Sequence, residues 1–259
     1  MEETGLHIEL AAERLGTFLG VPITNALVAS WVVMALLIIA GYFIGRNPKL
    51  IPGKLQTAFE WMFEYILAFM EETLDSRELA RRFFPLVTTI FLFVLFLNWF
   101  EFLPFVGSVV FHHGKEAAPL FRATTTDLNM TLALAFISYF VIELTGIATL
   151  GFLKYGSKFV NFKEGVLGFF IGLIEFVSNL ARLVSFSFRL FGNIFAGEVL
   201  IAVTLLFLPF VLPVPIMVFE TFVGLVQAFI FALLTLVFIK IAVAEPHAAD
   251  SGHTSEVTH

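Results

Sequence analysis

The sequence has no cysteine and little charge. None of its 259 residues is cysteine, and only 14 % are charged. The lack of cysteine excludes disulfide bonds, thiol catalysis and cysteine metal sites, although it does not identify a compartment. Soluble globular chains contain about 25 % charged residues. The shortage of charge therefore argues against a water-soluble domain.

Three further absences exclude classes of function. The chain has no G-x-x-x-x-G-K-[ST] motif and no soluble domain to hold a nucleotide, so we interpret it as non-catalytic and without a cofactor. The acidic N-terminus MEETGLHIELAAERLG lacks the basic region of a signal peptide and is a poor mitochondrial presequence. No histidine falls in an apolar run, which argues against a metal centre in the membrane. The histidines are His7, His112, His113, His247, His253 and His259.

Long apolar runs dominate what is present. Hydrophobic residues make up 59 % of the chain, including 34 phenylalanines. The runs are too long for barrel strands of about 9–11 residues, whereas a spanning helix needs about 20 apolar residues. We therefore predict a single all-α integral membrane domain over residues 1–259, with about five membrane helices. The predicted helices are 24–45, 84–105, 128–152, 166–208 and 216–243.

The remaining segments predict the topology. Residues 54–74, KLQTAFEWMFEYILAFMEETL, have apolar residues at helical spacing and interspersed charges, which predicts an amphipathic helix at the membrane surface. Lysine and arginine are concentrated after the first and third spans, which places residues 1–23 outside and the tail 244–259, predicted to be disordered, on the cytoplasmic side. The basic residues of those two loops are Arg46, Lys49, Lys54, Arg77, Arg81, Arg82, Lys154, Lys158 and Lys163.

The fourth apolar run is too long for an upright span. Residues 166–208 would make a helix of roughly 63 Å, about twice the hydrocarbon thickness of about 30 Å. Either the run is two short spans with a hidden break, or it is one helix tilted beyond the usual 0–40°. No proline marks a break, and Gly192 and Gly197 are weak candidates for one.

The same run carries a polar stripe. At about 100° per residue, its members fall in a sector roughly 80° wide, with Glu198 on a different face. They are Glu175, Ser178, Arg182, Ser185, Arg189 and Asn193. A central arginine costs about 2.5–3.5 kcal/mol to insert, and Arg189 is too far from either end to snorkel easily. Function is therefore favoured over a structural ion pair for Arg189.

Acids outnumber bases in the predicted spans. Glu220 and Gln227 are seven residues apart on one face of the last span, and Glu143 lies in the third. Glu198 and Glu220 either pair with a base inside the bundle or exchange protons through a water-filled cavity. Because only Arg182 and Arg189 lie deep in the spans, at least one acid is expected to exchange protons or to be solvated by a water-filled cavity. For Asn193 and Gln227 the alternative is interhelical hydrogen bonding, and for the two serines it is helix packing.

Two motifs resemble the a subunit of F-type ATP synthases. FRLFGNIFAGE (188–198) is similar to the family's R-L-F-G-N-x-x-A-G-E core, and VQAFIFALLTLVFI (226–239) to the core of its last helix. TTTDLNMTLALAF (124–136) and EFVSNLARLVSFS (175–187) extend the likeness upstream. The resemblance implies a proton-translocating stator whose last two long helices form a strongly tilted, near-horizontal hairpin around a ring of c subunits.

The resemblance also implies residue roles. Arg189 would face the carboxylate of each passing c subunit, flanked by Asn193 and Gln227, and Glu198 and Glu220 would line the outer half-channel. Many bacterial members carry histidine where this chain has Glu220. Residues implied near the inner half-channel are Glu175, Ser178 and Ser185, and Glu143 joins the candidate proton path from its place in the third span.

Partners and location follow from the same resemblance. The implied partners are the c-ring, b-type peripheral-stalk subunits, the rest of the ATP synthase and the lipid bilayer, without nucleic acid. With the missing presequence, the resemblance implies a bacterial plasma membrane rather than an organellar one, although an organelle-encoded copy would also lack a presequence. The alternatives are a stand-alone ion channel or secondary transporter, in which Arg189 binds an anion, and a purely structural anchor. Neither inverted repeats nor an obvious break by glycine or proline favours a transporter.

Overall fold

The computed structural model describes residues 12–18, 20–46, 53–103, 106, 109–113, 116–151, 155–156, 165–209 and 211–243. Over these residues the chain forms six long helices, two short antiparallel hairpins and one 3₁₀ turn, Thr124–Thr126. The helices are α1 Asn25–Arg46, α2 Lys54–Leu74, α3 Arg77–Phe100, α4 Leu128–Leu150, α5 Gly165–Phe207 and α6 Pro213–Val243. The hairpins pair β1 Arg14–Phe18 with β2 Val21–Thr24, and β3 Val110–His113 with β4 Glu116–Pro119.

Five helices of the described part, α1 and α3 to α6, are long and apolar enough to cross a membrane. The predicted class, an all-α membrane protein, is thereby confirmed. The predicted tail 244–259 and much of the N-terminal segment 1–23 lie outside the described residues.

The amphipathic segment forms α2, which packs against α3 and α6 on one face. Met70 and Leu74 are buried in an apolar cluster with residues of those helices. On the other face Trp61 and Tyr65 are exposed and stack on each other, with ring centroids 5.9 Å apart. Aromatic side chains with one apolar and one polar end suit the membrane interface.

Helix α3 begins seven residues before the start of the predicted span 84–105 and ends five residues before its end. Ser76 caps its start, because the Ser76 hydroxyl accepts a hydrogen bond from the Leu79 amide at 3.3 Å. The first residues of α3, RELARR, are mostly charged, so hydropathy alone does not predict that the helix begins there. At the other end, Phe102 N–H bonds to the Trp99 carbonyl at 3.2 Å, so the chain leaves the helix in a tight turn.

Helix α5 is continuous over 43 residues. The alternative of two short spans with a hidden break is thereby excluded. Helix α6 has 31 residues and begins at Pro213, where proline's missing N–H costs nothing. The two helices pack antiparallel, since Gly197 of α5 meets Glu220 near the start of α6 whereas Arg182 lies over Phe238 near its end. At 1.5 Å per residue, α5 is roughly 64 Å long, so it fits a hydrocarbon layer of about 30 Å only when strongly tilted.

Two apolar clusters hold the helices together. The first joins α1, α3, α4, α5 and α6 and contains the fully buried Phe231 and Leu190. The second joins α2, α3, α4 and α6 and contains Met70 and Ile239. The outer surface is also apolar, since Phe43, for example, is 72 % exposed. Such a surface suits lipid rather than water.

Candidate functional site

Arg189 lies on an outward face of α5. Its side chain is exposed, and Nη2 donates a hydrogen bond to Ser185 Oγ at 3.4 Å, one turn earlier. Among the ion pairs of the described residues, none includes Arg189. The guanidinium is therefore presented outward from the helix bundle with its charge uncompensated by an acid of the described chain.

One turn further along α5, Asn193 joins this helix to α6. Asn193 Nδ2 donates a hydrogen bond to Gln227 Oε1 at 2.9 Å. Gln227 is 2 % exposed, and its Nε2 has no hydrogen-bond partner in the described part of the chain. Asn193 and Gln227 therefore form an interhelical hydrogen bond, and the Nε2 amide group of Gln227 remains buried between α5 and α6.

The structure places Glu220 of α6 directly against Gly197 of α5. Glu220 is only 7 % exposed. A Cβ at Gly197 would lie within 2.3–2.7 Å of the three atoms of the Glu220 carboxyl group, so only glycine leaves room for it. The adjacent Glu198 has a buried Oε2 without a hydrogen-bond partner among the described residues. Two acids from different helices thus share one region of low water access.

Glu101, which the sequence analysis missed, joins these two acids. It directly follows the last residue of α3 and lies outside the helical span. Burial of its carboxyl, and then the Glu198 and Glu220 carboxylates, raise the pKa of Glu101 to about 8, while Arg122 opposes the shift. The available signal was an acid within the apolar stretch NWFEFLPF, which we interpreted only as the end of a span.

We expect Glu101→Gln to change how stability depends on pH. Between the ordinary value of 4.5 and about 8, the folded chain holds a proton on Glu101 that the unfolded chain has lost. Stability contributed by this group therefore falls as pH rises through that window and is constant outside it. The thermal midpoint of Glu101→Gln should exceed that of the wild type by an amount that grows from pH 5 to pH 8.

The measurement is thermal unfolding of the detergent-solubilised chain at several pH values. Glu72→Gln, which removes an exposed carboxylate from α2, is the matched control and should follow the wild type. A constant difference between Glu101→Gln and the wild type from pH 5 to pH 8 would contradict the assigned shift.

A second polar group lies on the other side of Arg189. Glu175, Asn179 and Arg182 of α5 line a small cavity together with residues of α4 and α6. The Arg182 guanidinium lies over the Phe238 ring, 4.0 Å from its centroid. The predicted stripe therefore divides, because Glu175 and Arg182 line this cavity whereas Ser178 and Arg189 are exposed.

The remaining predicted residues are placed differently from one another. Glu143 of α4 accepts a hydrogen bond from Tyr155, which also lines the cavity. Ser178 is exposed on α5, and Ser185 contacts only Arg189 among the side-chain hydrogen bonds described. Sequence reasoning did not identify Tyr155, since nothing local shows that its hydroxyl returns to Glu143.

Along α5, Arg189 thus lies between two acidic groups, and Arg182 belongs to the first of them. Glu175 lies fourteen residues before Arg189, about 21 Å along the axis, and Glu198 nine residues after it, about 14 Å. Carboxyl groups in low dielectric can take and release protons. A fixed arginine between them stays charged at every relevant pH and repels a migrating proton.

The comparisons with known proteins agree in one family. The family model described as ATP synthase A chain matches residues 27–240. The chain is 33 % identical over 219 residues to ATP synthase subunit a of Moorella thermoacetica, covering 85 % of this chain and 90 % of that protein. It is 35 % identical over 207 residues to ATP synthase subunit a of Campylobacter jejuni, covering 80 % and 84 %. With the subunit of Helicobacter acinonychis the identity is 34 % over 231 residues, covering 89 % and 92 %.

Proposed function

The chain belongs to the ATP synthase A chain family, and from that membership we propose that it is the stator a subunit whose two half-channels carry protons to and from a rotating c-ring. Membership makes it a membrane-sector subunit of the ATP synthase complex. The observation that carries the finer proposal is the outward-facing, unpaired Arg189 between two acidic groups of one tilted helix pair.

Arg189 acts as the charge barrier. Each c subunit carries a carboxylate that is neutral while it faces lipid, because a bare anion there is costly. When the carboxylate loses its proton at the stator, the exposed guanidinium attracts it. Because the same positive charge repels protons, it keeps the two half-channels from joining. The Asn193–Gln227 pair keeps polar groups beside this contact.

The outer half-channel contains Glu198 and Glu220, to which the structure adds Glu101 as a neighbour. Protons enter here and neutralise the c-subunit carboxylate. Burial and the Glu198 and Glu220 carboxylates raise the pKa of Glu101 to about 8. Glu101 therefore holds a proton at neutral pH that it can pass to its neighbours.

The inner half-channel contains Glu175 and Glu143, with Ser178 and Ser185 on the way to Arg189. After nearly a full rotation the c-subunit carboxylate reaches this side and releases its proton. The membrane potential supplies about 2.3 kcal/mol per proton per 100 mV. The near-horizontal α5–α6 hairpin lets one pair of helices reach both half-channels.

The partners and placement follow from this role. We propose contacts with the c-ring and with b-type peripheral-stalk subunits, in a bacterial plasma membrane with the N-terminus outside. The chain performs no nucleotide chemistry, which belongs to other subunits of the complex.

Affinity purification from membranes tests the assignment. The tagged full chain, extracted in a mild detergent, should bring down a ring of small two-helix proteins, an elongated stalk and the ATPase sector. A chain purified without such proteins that transports ions alone in liposomes would contradict the motor assignment and favour a stand-alone channel or transporter.

A further inference from the structure

After α4, the chain turns back and covers the helix that it has just left. Gly151 ends α4 with a positive φ of 83°, and its carbonyl accepts a hydrogen bond from the Tyr155 amide at 2.9 Å. The Tyr155 side chain is buried. Its ring lies on Gly146 so closely that a Cβ there would be 2.3 Å from Tyr155 Cε2. The absence of a side chain at Gly146 therefore makes room for the Tyr155 ring.

The Tyr155 hydroxyl donates a hydrogen bond to Glu143 Oε2 at 2.9 Å. Tyr139, one turn before Glu143 on α4, interacts with the same carboxylate. Burial and the bond to Glu143 raise the pKa of Tyr155 well above its usual value, and Arg182 opposes the shift. The hydroxyl consequently keeps its proton and remains a donor to Glu143.

Tyr155 also lines a cavity together with Glu175, Asn179 and Arg182. The cavity has a volume of about 20 Å³. One water molecule needs about 10–15 Å³ and two to four polar partners. Asn179 is 3 % exposed, and its Oδ1 has no hydrogen-bond partner within the described chain. The cavity is thus large enough for one water molecule, which could donate a hydrogen bond to the buried Asn179 Oδ1.

We propose that this cavity binds one water molecule and that the water, the Tyr155 hydroxyl and Glu143 form a proton relay that extends the inner half-channel from Glu175. The inference rests on the proposed function. It assigns a role to Tyr155 and Asn179, neither of which sequence analysis assigned to the proton path.

The relay conserves every proton. In the direction of ATP synthesis, the Glu175 carboxyl gives its proton to the water, and the water passes one of its own to the Tyr155 oxygen. The Tyr155 O–H bond breaks as the proton moves to Glu143 Oε2. Water and tyrosine end neutral, so the net change is one proton moved from Glu175 to Glu143.

The surroundings favour this path. Of the residues lining the cavity in the described part of the chain, only Glu175 and Arg182 are charged. The α6 wall consists of Phe238, Ile241 and Ala242, which offer no competing hydrogen bond. Arg182, held over the Phe238 ring, balances the negative charge that moves between the two acids.

A double-mutant cycle tests the relay by ATP-driven pumping in inverted vesicles, where protons are taken from the bath through the inner half-channel. Tyr155→Phe keeps the ring on Gly146 and removes only the hydroxyl. We expect it to slow pumping per assembled complex about ten- to a hundredfold, the size of effect of one lost hydrogen bond to a charged group. The loss should be largest at alkaline bath pH, where protons are scarce.

Glu143→Gln should slow pumping at least as much, and Tyr155→Phe should add nothing in that background, because both changes interrupt one path. Tyr42→Phe, which removes an exposed hydroxyl from α1, should pump like the wild type. A wild-type rate in either Tyr155→Phe or Glu143→Gln overturns the relay. Fully additive losses overturn it too, since Tyr155 then acts independently of Glu143.

Arg189→Ala in the same membranes distinguishes a failure of the relay from a failure of the proposed function. Loss of pumping in Arg189→Ala with wild-type pumping in Tyr155→Phe overturns the relay alone. Normal pumping in Arg189→Ala overturns the proposed function together with the relay that rests on it.

Discussion

Arg189→Ala should abolish ATP-driven proton pumping by the assembled complex. The c-subunit carboxylate would then meet no cation when it loses its proton, and the desolvation cost of an unpaired ion in a protein interior is several kcal/mol. A cost of that size corresponds to a rate loss of at least about a hundredfold. The two half-channels would also lose the charge that separates them.

Arg189→Lys should fail as well. A lysine in low dielectric can release its proton, and its ammonium lacks the planar fork with which a guanidinium binds a carboxylate. The exposed position of Arg189 means that neither substitution disturbs the buried core. Assembly should therefore remain intact, which immunodetection of the c-ring and stalk in the purified complex would verify.

Pumping is measured by quenching of a pH-sensitive dye in inverted vesicles, with Arg81→Ala as the matched control. Arg81 is also an exposed arginine, but it lies in the second turn of α3, on a different helix from the polar stripe. Passive proton permeability of membranes stripped of the ATPase sector provides a second readout and should rise in Arg189→Ala. Normal coupled pumping in Arg189→Ala would refute the charge-barrier role.

Gly197→Ala should also reduce pumping strongly, although it adds only one methyl group. The new Cβ would lie 2.3 Å from Glu220 Cδ, so the carboxyl must leave its place. Forcing an extra carbon into a packed site costs about 1–3 kcal/mol, which corresponds to roughly a five- to hundredfold loss of pumping if transfer needs Glu220 in that place.

Gly41→Ala is the matched control, since a Cβ at this helical glycine of α1 meets nothing within 4 Å. Combining Gly197→Ala with Glu220→Asp tests the steric cause, because the shorter side chain withdraws the carboxyl from the methyl group. Partial recovery of pumping in the double variant is expected. Equal pumping by Gly197→Ala and the wild type would show that the position of Glu220 does not matter to transfer.

The polar residues of the α5–α6 hairpin illustrate what sequence reasoning could reach. An arginine or a glutamate in an apolar run stands out because the bilayer penalises it, so Arg189, Glu198 and Glu220 could be selected as candidates from the sequence. Helical phase placed Ser185, Arg189 and Asn193 on one face, and the contact between Ser185 and Arg189 agrees with that phase. The length of the apolar run 166–208 left two alternatives, one strongly tilted helix or two short spans.

Contacts between distant segments were beyond that reasoning. Nothing in the sequence indicates that Glu101 meets Glu198 and Glu220, because a hydropathy pattern gives the axis of each helix but not its neighbours. The same limit hid the return of Tyr155 to Glu143 across twelve residues. Both hairpins, β1–β2 and β3–β4, were missed since short strands in polar connections carry little periodic signal.

The sequence by itself determined that this is an all-α membrane protein, which apolar stretches form its helices, and where the costly polar groups occur along them. These properties follow from the transfer of single residues into lipid, which is a local quantity. Only the tertiary structure decided that α5 is unbroken, that Arg189 faces outward, and that the acids divide into two groups. Those outcomes depend on which helix faces pack together, as at Gly197 and Gly146, where a missing side chain admits a partner from elsewhere in the chain.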